Sequence, residues 1–518
     1  MIKESIEPQL SNTENNKRIA KNTLFLYFRS VLTLGVGLYT SREVLSQLGV
    51  SDFGVYNVVG GVILLFGFIQ SAMNGATSRF FTFDLGKGDF ERLKKTFGLS
   101  LIIHIFTALL ILILGETVGL WFLNTQLVIP TQRMGAANFV YQFTIFTACV
   151  GILQVPYMVA ITAHERMKVF AYAGIADAVF KLAVAIALGF APFDKLKFYS
   201  VLLFVVFVSM NGFYYVYCRR NFKETRFKWV WDKKMFWERM GFGGWTMLQG
   251  TSAIAALQGV NMLLNAFHGV IANAAFGVMT QVSNAITQFA NNFFAAVNPQ
   301  ITKSYAKGDT DYLHSLLFRS IKFSFLISLA FAIPLVLNMD FILRLWLKTV
   351  PEYAVVFCQF RVSDWVMWMF VNLLSTAITS TGKVKKFMII DSIFIFTHFI
   401  LSYIFLSQKF SPVSVPIIYI SVNVFRCVLY LLSSKSIINL SIRQYLHKVY
   451  IKSLIVALIS VPLPIFISLY TKGWVALFAT TGSFIPPFLL STAFFGLDRN
   501  ERIMIWGLIK SKISFQKQ

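Results

Sequence analysis

Three basic side chains lie inside long apolar stretches of this sequence, where a charge is costly. Arg29, Lys181 and Arg426 each stand several residues from the nearest end of such a stretch. A charge at the centre of a membrane helix costs roughly 2.5–3.5 kcal/mol on insertion scales, so these cations are expected to face a partner, a cavity or water. A guanidinium or an ammonium group can hold a phosphate or a carboxylate without covalent chemistry. We therefore treat the three as candidate anion-binding residues.

Each of these cations also has a structural interpretation. Asp177 lies four residues before Lys181, the favourable order for an ion pair within one helix. Arg426 could extend its side chain to the membrane surface. Arg29 has no acidic residue within one helical turn, so its partner must come from another helix or from a ligand. Arg29 is therefore the strongest of the three candidates.

Other ionisable residues in apolar stretches are expected to be structural. Arg361 and Asp364 have the spacing of a salt bridge on one helix face, and Asp391 opens a stretch, where a carboxylate suits a helix start. His104 is expected to be a hydrogen-bonded core histidine rather than a proton carrier.

Amide side chains are concentrated in two adjacent apolar stretches, residues 240–265 and 271–297. Amides donate and accept hydrogen bonds, which suits sugar hydroxyls in a water-filled cavity. Hydrogen bonds between helices are the alternative use of such residues in a membrane. Five amides are candidate cavity-lining residues: Gln249, Gln258, Asn261, Asn284 and Asn291.

No motif for catalysis or metal binding is present in the sequence. Gly382-Lys383 is followed by valine and lacks the upstream glycine of a phosphate-binding loop. The four cysteines are scattered singly, which argues against a disulfide or metal framework. The sequence therefore predicts a protein that is not an enzyme and that has no cofactor and no metal site.

Composition places nearly the whole chain in a membrane. Of its 518 residues 56% are hydrophobic and only 14% are charged, whereas a soluble domain carries about 25% charged residues. The apolar stretches have the length of membrane-spanning helices. We predict an all-α polytopic membrane protein with fourteen spans, near residues 22–40, 53–75, 96–114, 137–163, 169–190, 198–218, 240–265, 271–297, 320–338, 354–380, 387–407, 413–432, 449–470 and 474–495.

The net charge of +24 reflects topology rather than nucleic-acid binding. With the N-terminus placed in the cytoplasm, the cytoplasmic segments carry 35 Lys and Arg against 9 on the opposite side. This asymmetry predicts that both termini are cytoplasmic. The basic loops are then expected to face anionic membrane lipids.

A repeat at a nearly fixed offset divides the chain. Gly49-Val50 returns as Gly269-Val270, and Lys87-Gly88-Asp89 returns as Lys307-Gly308-Asp309, both at an offset of 220 residues. Ala160-Ile161-Thr162 returns as Ala377-Ile378-Thr379 at an offset of 217. Because a unit of six helices returns the chain to the same side, the second copy enters the bilayer in the same orientation. Parallel repeats of this kind are typical of transporters with the substrate path between the halves.

The repeat and the loop composition predict five regions. These are a cytoplasmic tail (1–21), an N-lobe of spans 1–6 (22–218), a basic, Trp-rich cytoplasmic linker (219–238), a C-lobe of spans 7–12 (239–432), and a last region with spans 13–14 and a cytoplasmic tail (433–518).

Several short phrases resemble one superfamily of membrane exporters. One motif is Asn22-Thr23-Leu24, and a second is Thr40-Ser41-Arg42-Glu43-Val44-Leu45. A third motif contains Gly49 and extends from Leu48 to Tyr56. Leu345-Trp346-Leu347-Lys348 is followed by Pro351-Glu352-Tyr353-Ala354. On these phrases the chain resembles the multidrug/oligosaccharidyl-lipid/polysaccharide (MOP) exporter superfamily, and most closely its bacterial Wzx-type polysaccharide-unit flippases. The resemblance covers nearly the whole chain.

The resemblance implies a MATE-like fold of two six-helix lobes around a central cavity, with two extra C-terminal helices. In the polysaccharide branch the cargo is an oligosaccharide on undecaprenyl diphosphate, and intramembrane cations are thought to hold the diphosphate. That role would fall here to Arg29, Lys181 and Arg426. The multidrug branch usually has acidic residues in span 1 or in spans 7 and 8. This sequence instead has Arg29 in span 1 and no acid in spans 7 and 8.

These observations predict a flippase for a lipid-linked oligosaccharide in the bacterial inner membrane, working by alternating access. Its partners would be that substrate, membrane lipids and enzymes of the same pathway, a polysaccharide polymerase or glycosyltransferases, but no nucleic acid. The alternatives are a MATE-type multidrug cation antiporter and a non-transporting scaffold that recruits polysaccharide enzymes.

Overall fold

A computed structural model describes residues 12–64, 67–125, 127, 129–191, 193–347, 349–499 and 501–502. Most of the predicted cytoplasmic tails, residues 1–11 and 503–518, lie outside this description. Every regular element among the described residues is a helix, and these residues contain no strand. The α-helices are α1 (Asn12–Leu64), α2 (Gly67–Lys87), α3 (Phe90–Leu114), α4 (Leu120–Thr125), α5 (Met134–Ala163), α6 (Met167–Ala187), α7 (Lys195–Asn221), α8 (Lys233–Lys307), α9 (Thr310–Leu337), α10 (Met339–Trp346), α11 (Ala354–Trp368), α12 (Asn372–Ser380), α13 (Lys385–Ser407), α14 (Ser414–Ile438), α15 (Ile442–Tyr445), α16 (Lys452–Ser460), α17 (Pro462–Tyr470) and α18 (Gly473–Ser491).

Length and apolarity qualify ten helical segments of the described residues as membrane spans. An eleventh is added if α11 and α12, which meet at a bend of 44°, form one broken span. Neither α2 nor α8 is in this set, and α8 carries the glycines and amides that lower its apolarity. The chain is thus a multi-pass, all-helical membrane protein, whereas the predicted count of fourteen spans is not confirmed.

The two longest helices, α1 and α8, are each broken at one glycine. Gly49 interrupts α1 with φ 76° and ψ 168°, and Gly269 interrupts α8 with φ 72° and ψ −167°. Residues with a side chain rarely adopt this combination, which is almost confined to glycine. The same backbone conformation therefore recurs at the offset of 220 residues that the sequence repeat predicts.

The next connection also recurs at this offset. Asp89 caps the start of α3 by accepting a hydrogen bond from the backbone N–H of Arg92 at 3.0 Å. Asp309 caps α9 in the same way, from the N–H of Tyr312 at 3.0 Å. A carboxylate at this position satisfies a backbone donor that the helix itself cannot pair. Two identical caps thus begin corresponding helices of the two copies.

The described chain forms two compact units, an N-unit of Arg18–Gly250 and a C-unit that contains the residues from Thr251 onwards. In the N-unit, α5 packs against α2, α3 and α7. Its core includes edge-to-face aromatic contacts, such as Phe97 with Tyr157 at 5.3 Å between ring centroids. The first part of α8 belongs to this unit, because Arg239 is buried and donates to Thr96 Oγ1 at 2.7 Å.

An ionic cluster ties three segments of the N-unit together. Arg133, just before α5, donates to Asp194 at 2.6 Å and to Asp52 at 2.5 Å. Asp194 also caps α7 by accepting from the N–H groups of Leu196 and Lys197. Burial disfavours the charged form of Asp194, but the hydrogen bonds from Arg133 and the helix start outweigh it and lower the pKa of this carboxyl. The cluster fixes the segment after Gly49 to the starts of α5 and α7.

In the C-unit, α9 packs against α11 and α18. The last span is also fixed to α9 by charge. Lys322 on α9 is 1% exposed and donates to Glu501 at 2.6 Å and to Asp498 at 3.3 Å. Asp498 also accepts from Lys452 at the start of α16. The residues that follow α18 therefore close over a lysine that would otherwise be buried without a counter-charge.

Replacing Gly269 with alanine should destabilise the protein. A Cβ built there meets nothing within 4 Å, so the loss would come from the backbone conformation, of the order of 1–3 kcal/mol. Gly277→Ala, in the helical part of α8 after the break, is the control, since its Cβ also meets no atom within 4 Å and alanine favours a helix. Thermal unfolding of the detergent-purified protein should show a lower midpoint for Gly269→Ala alone. Equal midpoints would contradict this account of the break.

Candidate functional site

Arg29 lies against α6 in the N-unit. Its guanidinium carbon is 4.7 Å from the centroid of the Phe170 ring, and the side chain is half-buried. A Cβ at Gly174 would come within 2.9 Å of Arg29 Cδ, so the absence of a side chain there leaves room for the arginine stem. A guanidinium over an aromatic face is a favourable arrangement that leaves N–H groups at its rim.

The same face of α6 carries the second predicted cation. Phe170, Gly174, Asp177 and Lys181 are spaced by four, three and four residues, which aligns them along one side of the helix. Lys181 Nζ donates to Asp177 at 2.7 Å.

We name Arg29, Asp177 and Lys181 the N-unit cluster. The cluster contains two cations and one carboxylate. The predicted ion pair of Lys181 is present, and Arg29 contacts the same helix nearer its start, at Phe170 and Gly174. Both predicted cations of the N-unit thus lie on or against α6.

The third predicted cation, Arg426 on α14, has a different environment. Its Nε and Nη2 atoms donate to the two oxygens of Asp391 on α13, at 2.8 and 3.0 Å. This is a bidentate pair, the strong geometry for a guanidinium and a carboxylate. Asp391 is fully buried and also accepts from the Tyr430 hydroxyl at 3.3 Å. Arg426 is therefore neutralised within its own unit.

A second ion pair is joined to the first by Asn423. Arg361 on α11 donates to Asp364 at 3.0 Å and to Ser283 Oγ on α8 at 2.8 Å. Asn423 donates to the other oxygen of Asp364 at 2.6 Å, and its own oxygen accepts from Arg426 at 2.9 Å. We name the four charged residues and Asn423 the C-unit network. Its two arginines and two aspartates balance.

This network forms one wall of a cavity inside the C-unit. The cavity has a volume of about 270 Å³ and contains two of the predicted residues, Asn284 and Arg426. Neither Asp364 nor Asp391 reaches its surface. The residues that line it are Ala253, Ala256, Leu257, Val260, Phe276, Met279, Thr280, Ser283, Asn284, Phe357, Phe360, Arg361, Ile395, His398, Val415, Pro416, Tyr419, Val422, Asn423 and Arg426.

The predicted amides of α8 occupy several environments. Asn284 and Asn291 are exposed, and with the exposed Gln281 and Gln288 they recur every three or four residues along one face of the helix after Gly269. Gln258 is also exposed, on the helix before the break. We name Gln281, Asn284, Gln288 and Asn291 the amide stripe.

The two remaining predicted amides are less exposed. Asn261 is half-buried and accepts a hydrogen bond from Asn273 at 2.6 Å, across the break at Gly269. That contact is the packing role that sequence reasoning gave as the alternative. Gln249 is half-buried, lies in the N-unit part of α8 and is not among the residues that line the C-unit cavity.

Sequence reasoning missed the C-unit network as a unit. Asp391 was expected to mark a helix start, whereas it holds Arg426 across 35 residues. Ser283 meets Arg361 across 78 residues, a separation at which no sequence spacing predicts contact. The Arg361–Asp364 pair is the one that their spacing predicts, and the available signal for the other pair was that Asp391 and Arg426 lie on neighbouring predicted spans. Among the described residues no group of His, Cys, Asp or Glu side chains is arranged to hold a metal ion.

Comparison with known proteins supports one fold. The MatE family model matches residues 255–404, and no curated protein matches the chain. An outward-facing multidrug resistance MATE transporter of the MOP superfamily superimposes with a TM-score of 0.71 at 14% identity, over 82% of this chain and 96% of that one.

Two further solved structures agree. A MOP superfamily transporter from Pyrococcus furiosus, described as having a binding pocket of reversed polarity that suggests a different function, gives a TM-score of 0.68 at 14% identity, over 82% of this chain and 96% of that one. A mutant of the Vibrio cholerae MATE transporter VcmN gives 0.66 at 16% identity, over 82% and 98%. At these identities the likeness shows the fold, which is that of MATE transporters, as the sequence predicts.

Removing the counter-charge of Arg426 should destabilise the C-unit. Asp391→Ala would leave a guanidinium that is 11% exposed without its carboxylate, and breaking a buried pair costs about 3–5 kcal/mol. The thermal midpoint of the purified protein should fall clearly. It should fall little in Asp340→Ala, which breaks an exposed pair with Arg344. Partial recovery is expected in the double variant Asp391→Asn/Arg426→Gln, and an unchanged midpoint in Asp391→Ala would show that the pair is not structural.

Proposed function

We propose that this protein is a transporter of the MOP superfamily that moves an undecaprenyl-diphosphate-linked oligosaccharide across the bacterial inner membrane. The observation that carries the proposal is that two basic side chains within membrane spans of the N-unit, Arg29 and Lys181, lie against or on α6. Asp177, Asp364 and Asp391 each bond a lysine or an arginine of their own unit. Basic side chains within spans, beside carboxylates that are already bonded, suit an anionic rather than a cationic cargo.

The diphosphate is the group for which the N-unit cluster is suited. Arg29 presents a planar set of donors on α1, and Lys181 lies on the facing helix α6. A guanidinium binds phosphate oxygens through paired hydrogen bonds, and an ammonium adds a point charge. A low local dielectric constant strengthens both interactions relative to water.

The amide stripe supports a carbohydrate portion of the cargo. Four exposed amides on one helix face would be poorly placed against lipid, because each offers two donors and an acceptor that lipid tails cannot pair. We infer that this face borders a water-filled path. Amides there can exchange hydrogen bonds between water and sugar hydroxyls with little change in energy.

The alternative is a MATE-type multidrug cation antiporter. It is favoured by the solved structures of the same fold that are described as multidrug transporters. A cationic drug needs a carboxylate in the path, and here the carboxylates of the C-unit network are already held by arginines. The Pyrococcus furiosus protein is described as combining this fold with a pocket of reversed polarity.

Deletion of the gene should stop export of the lipid-linked unit. Surface polysaccharide should be lost, and lipid-linked oligosaccharide should accumulate where an impermeant sugar-oxidising reagent cannot reach it in intact spheroplasts. Re-expression of the protein should restore both. Normal surface polysaccharide together with raised sensitivity to cationic dyes would instead support the antiporter.

Arg29→Gln should greatly reduce transport while leaving protein abundance nearly unchanged. The reason is that glutamine keeps hydrogen-bonding capacity but loses the charge that attracts a diphosphate, whereas Arg29→Lys should retain part of the activity. Arg42→Gln, an exposed position on the same helix, is the control for removing a positive charge from α1. Transport is measured as the restoration of surface polysaccharide in the deletion strain. Full activity of Arg29→Gln would exclude this residue from substrate binding.

A further inference from the structure

The cavity in the C-unit is electrically neutral although two arginines line it. Arg361 and Arg426 reach its surface, while Asp364 and Asp391 lie behind them and pair with them. A guanidinium that already holds a carboxylate attracts a further anion weakly. The cavity therefore offers hydrogen-bond donors without a net charge.

One polar atom on the cavity wall has no hydrogen-bond partner. His398 is 8% exposed, and its Nε2 atom is buried without a partner among the described residues. Buried polar atoms are nearly always paired in native proteins, so a hydroxyl that reached this nitrogen would satisfy it. Two other polar residues line the cavity with His398. Asn284 is exposed, and the ring centroid of Tyr419 is 4.9 Å from that of the His398 imidazole.

The rest of the wall is apolar and rich in aromatic rings. Phe276, Phe357, Phe360 and Tyr419 are all lining residues. Ligand pockets combine such walls with a few fixed polar groups that set orientation. The C–H groups on one face of a sugar ring suit the negative face of an aromatic ring, and its hydroxyls suit imidazole and amide groups.

Other kinds of ligand match the size and the charge of this cavity less well. A volume of about 270 Å³ lies just below the range of drug-sized sites, roughly 300–1,000 Å³, and so suits one ring. A cation would face the two guanidiniums. A lipid chain would leave His398 Nε2 and the Asn284 amide without partners.

We propose that this cavity is a binding site for one uncharged sugar ring. Within the proposed function, on which the identity of the cargo rests, that ring is part of the transported oligosaccharide. His398 and Asn284 exchange hydrogen bonds with its hydroxyls, Arg361 donates to one of its oxygens, and the aromatic wall covers its apolar face.

The test uses the purified full-length protein in detergent and a panel of simple glycosides. The panel contains the methyl glycosides of glucose, galactose, mannose, rhamnose and N-acetylglucosamine, with methyl glucuronide as the charged member. At least one neutral glycoside should raise the thermal midpoint in a saturable manner, and the glucuronide should bind more weakly than that glycoside. Absence of saturable stabilisation by every neutral member would overturn the proposal.

A matched pair of variants locates the site. Thr280 lines the cavity, whereas Thr397 does not. The two residues are otherwise matched, because both are half-buried and each hydroxyl donates to a backbone carbonyl of its own helix at 2.9 Å. Thr397 stands between the exposed Ile393 and Ile400 on α13. Thr280→Phe should fill the cavity and weaken glycoside binding by at least about tenfold, which corresponds to 1.4 kcal/mol. Thr397→Phe should bind like the unmodified protein.

The results of these binding measurements and of the gene deletion distinguish a failure of the sugar site from a failure of the proposed function. Equal binding by Thr280→Phe and Thr397→Phe would place the sugar elsewhere and overturn the site, whatever the deletion strain shows. Saturable binding that only Thr280→Phe loses, in a protein whose deletion leaves surface polysaccharide normal, would keep the sugar site and reject the flippase. Tighter binding of the glucuronide than of any neutral glycoside would overturn the claim that the ring is uncharged.

Discussion

The cost of an unpaired charge within a membrane governs the arrangement of this protein. In hydrocarbon no water is available to a buried polar group, so each must find a partner or border a wet cavity. Lys322 shows the constraint at its strictest, because it is 1% exposed and the residues after α18 supply its two carboxylates. Arg426 and Asp391 show it between neighbouring helices.

Because charge must be balanced locally, paired charges form self-contained groups. The C-unit network contains equal numbers of arginines and aspartates, and Asn423 connects its two pairs through hydrogen bonds of 2.6 and 2.9 Å. This network is therefore neutral by itself, with one face open to a cavity. In the N-unit cluster Lys181 is paired with Asp177, and Arg29 lies against the same helix.

The sequence predicted those features that depend on local chemistry. Glycine at positions 49 and 269 indicated matching breaks, and the structure has nearly the same φ at both. Asp177 and Lys181 pair as their spacing predicts. Contacts between distant segments could not be predicted in this way, because a membrane helix is apolar on most sides and its sequence does not identify the neighbour. The pairing of Arg426 with Asp391 is the main example. The count of fourteen spans is not confirmed for a related reason, since α8 carries polar residues that lower the apolarity by which a span is recognised.

The repeat copies helix breaks and helix caps but not the basic residue of the first span. Broken helices and aspartate caps recur at an offset of 220 residues, whereas Arg29 aligns at that offset with Gln249. A transport site also needs binding that is strong enough for entry and weak enough for release, as in channels with several moderate sites. In the proposed flippase, Asp177 beside Lys181 would weaken the attraction of that lysine for a diphosphate and so favour release. Neutral hydrogen bonds to sugars each contribute about 1 kcal/mol net and break one at a time. Unequal halves can therefore distribute the recognition of a long amphipathic cargo over contacts that are individually reversible.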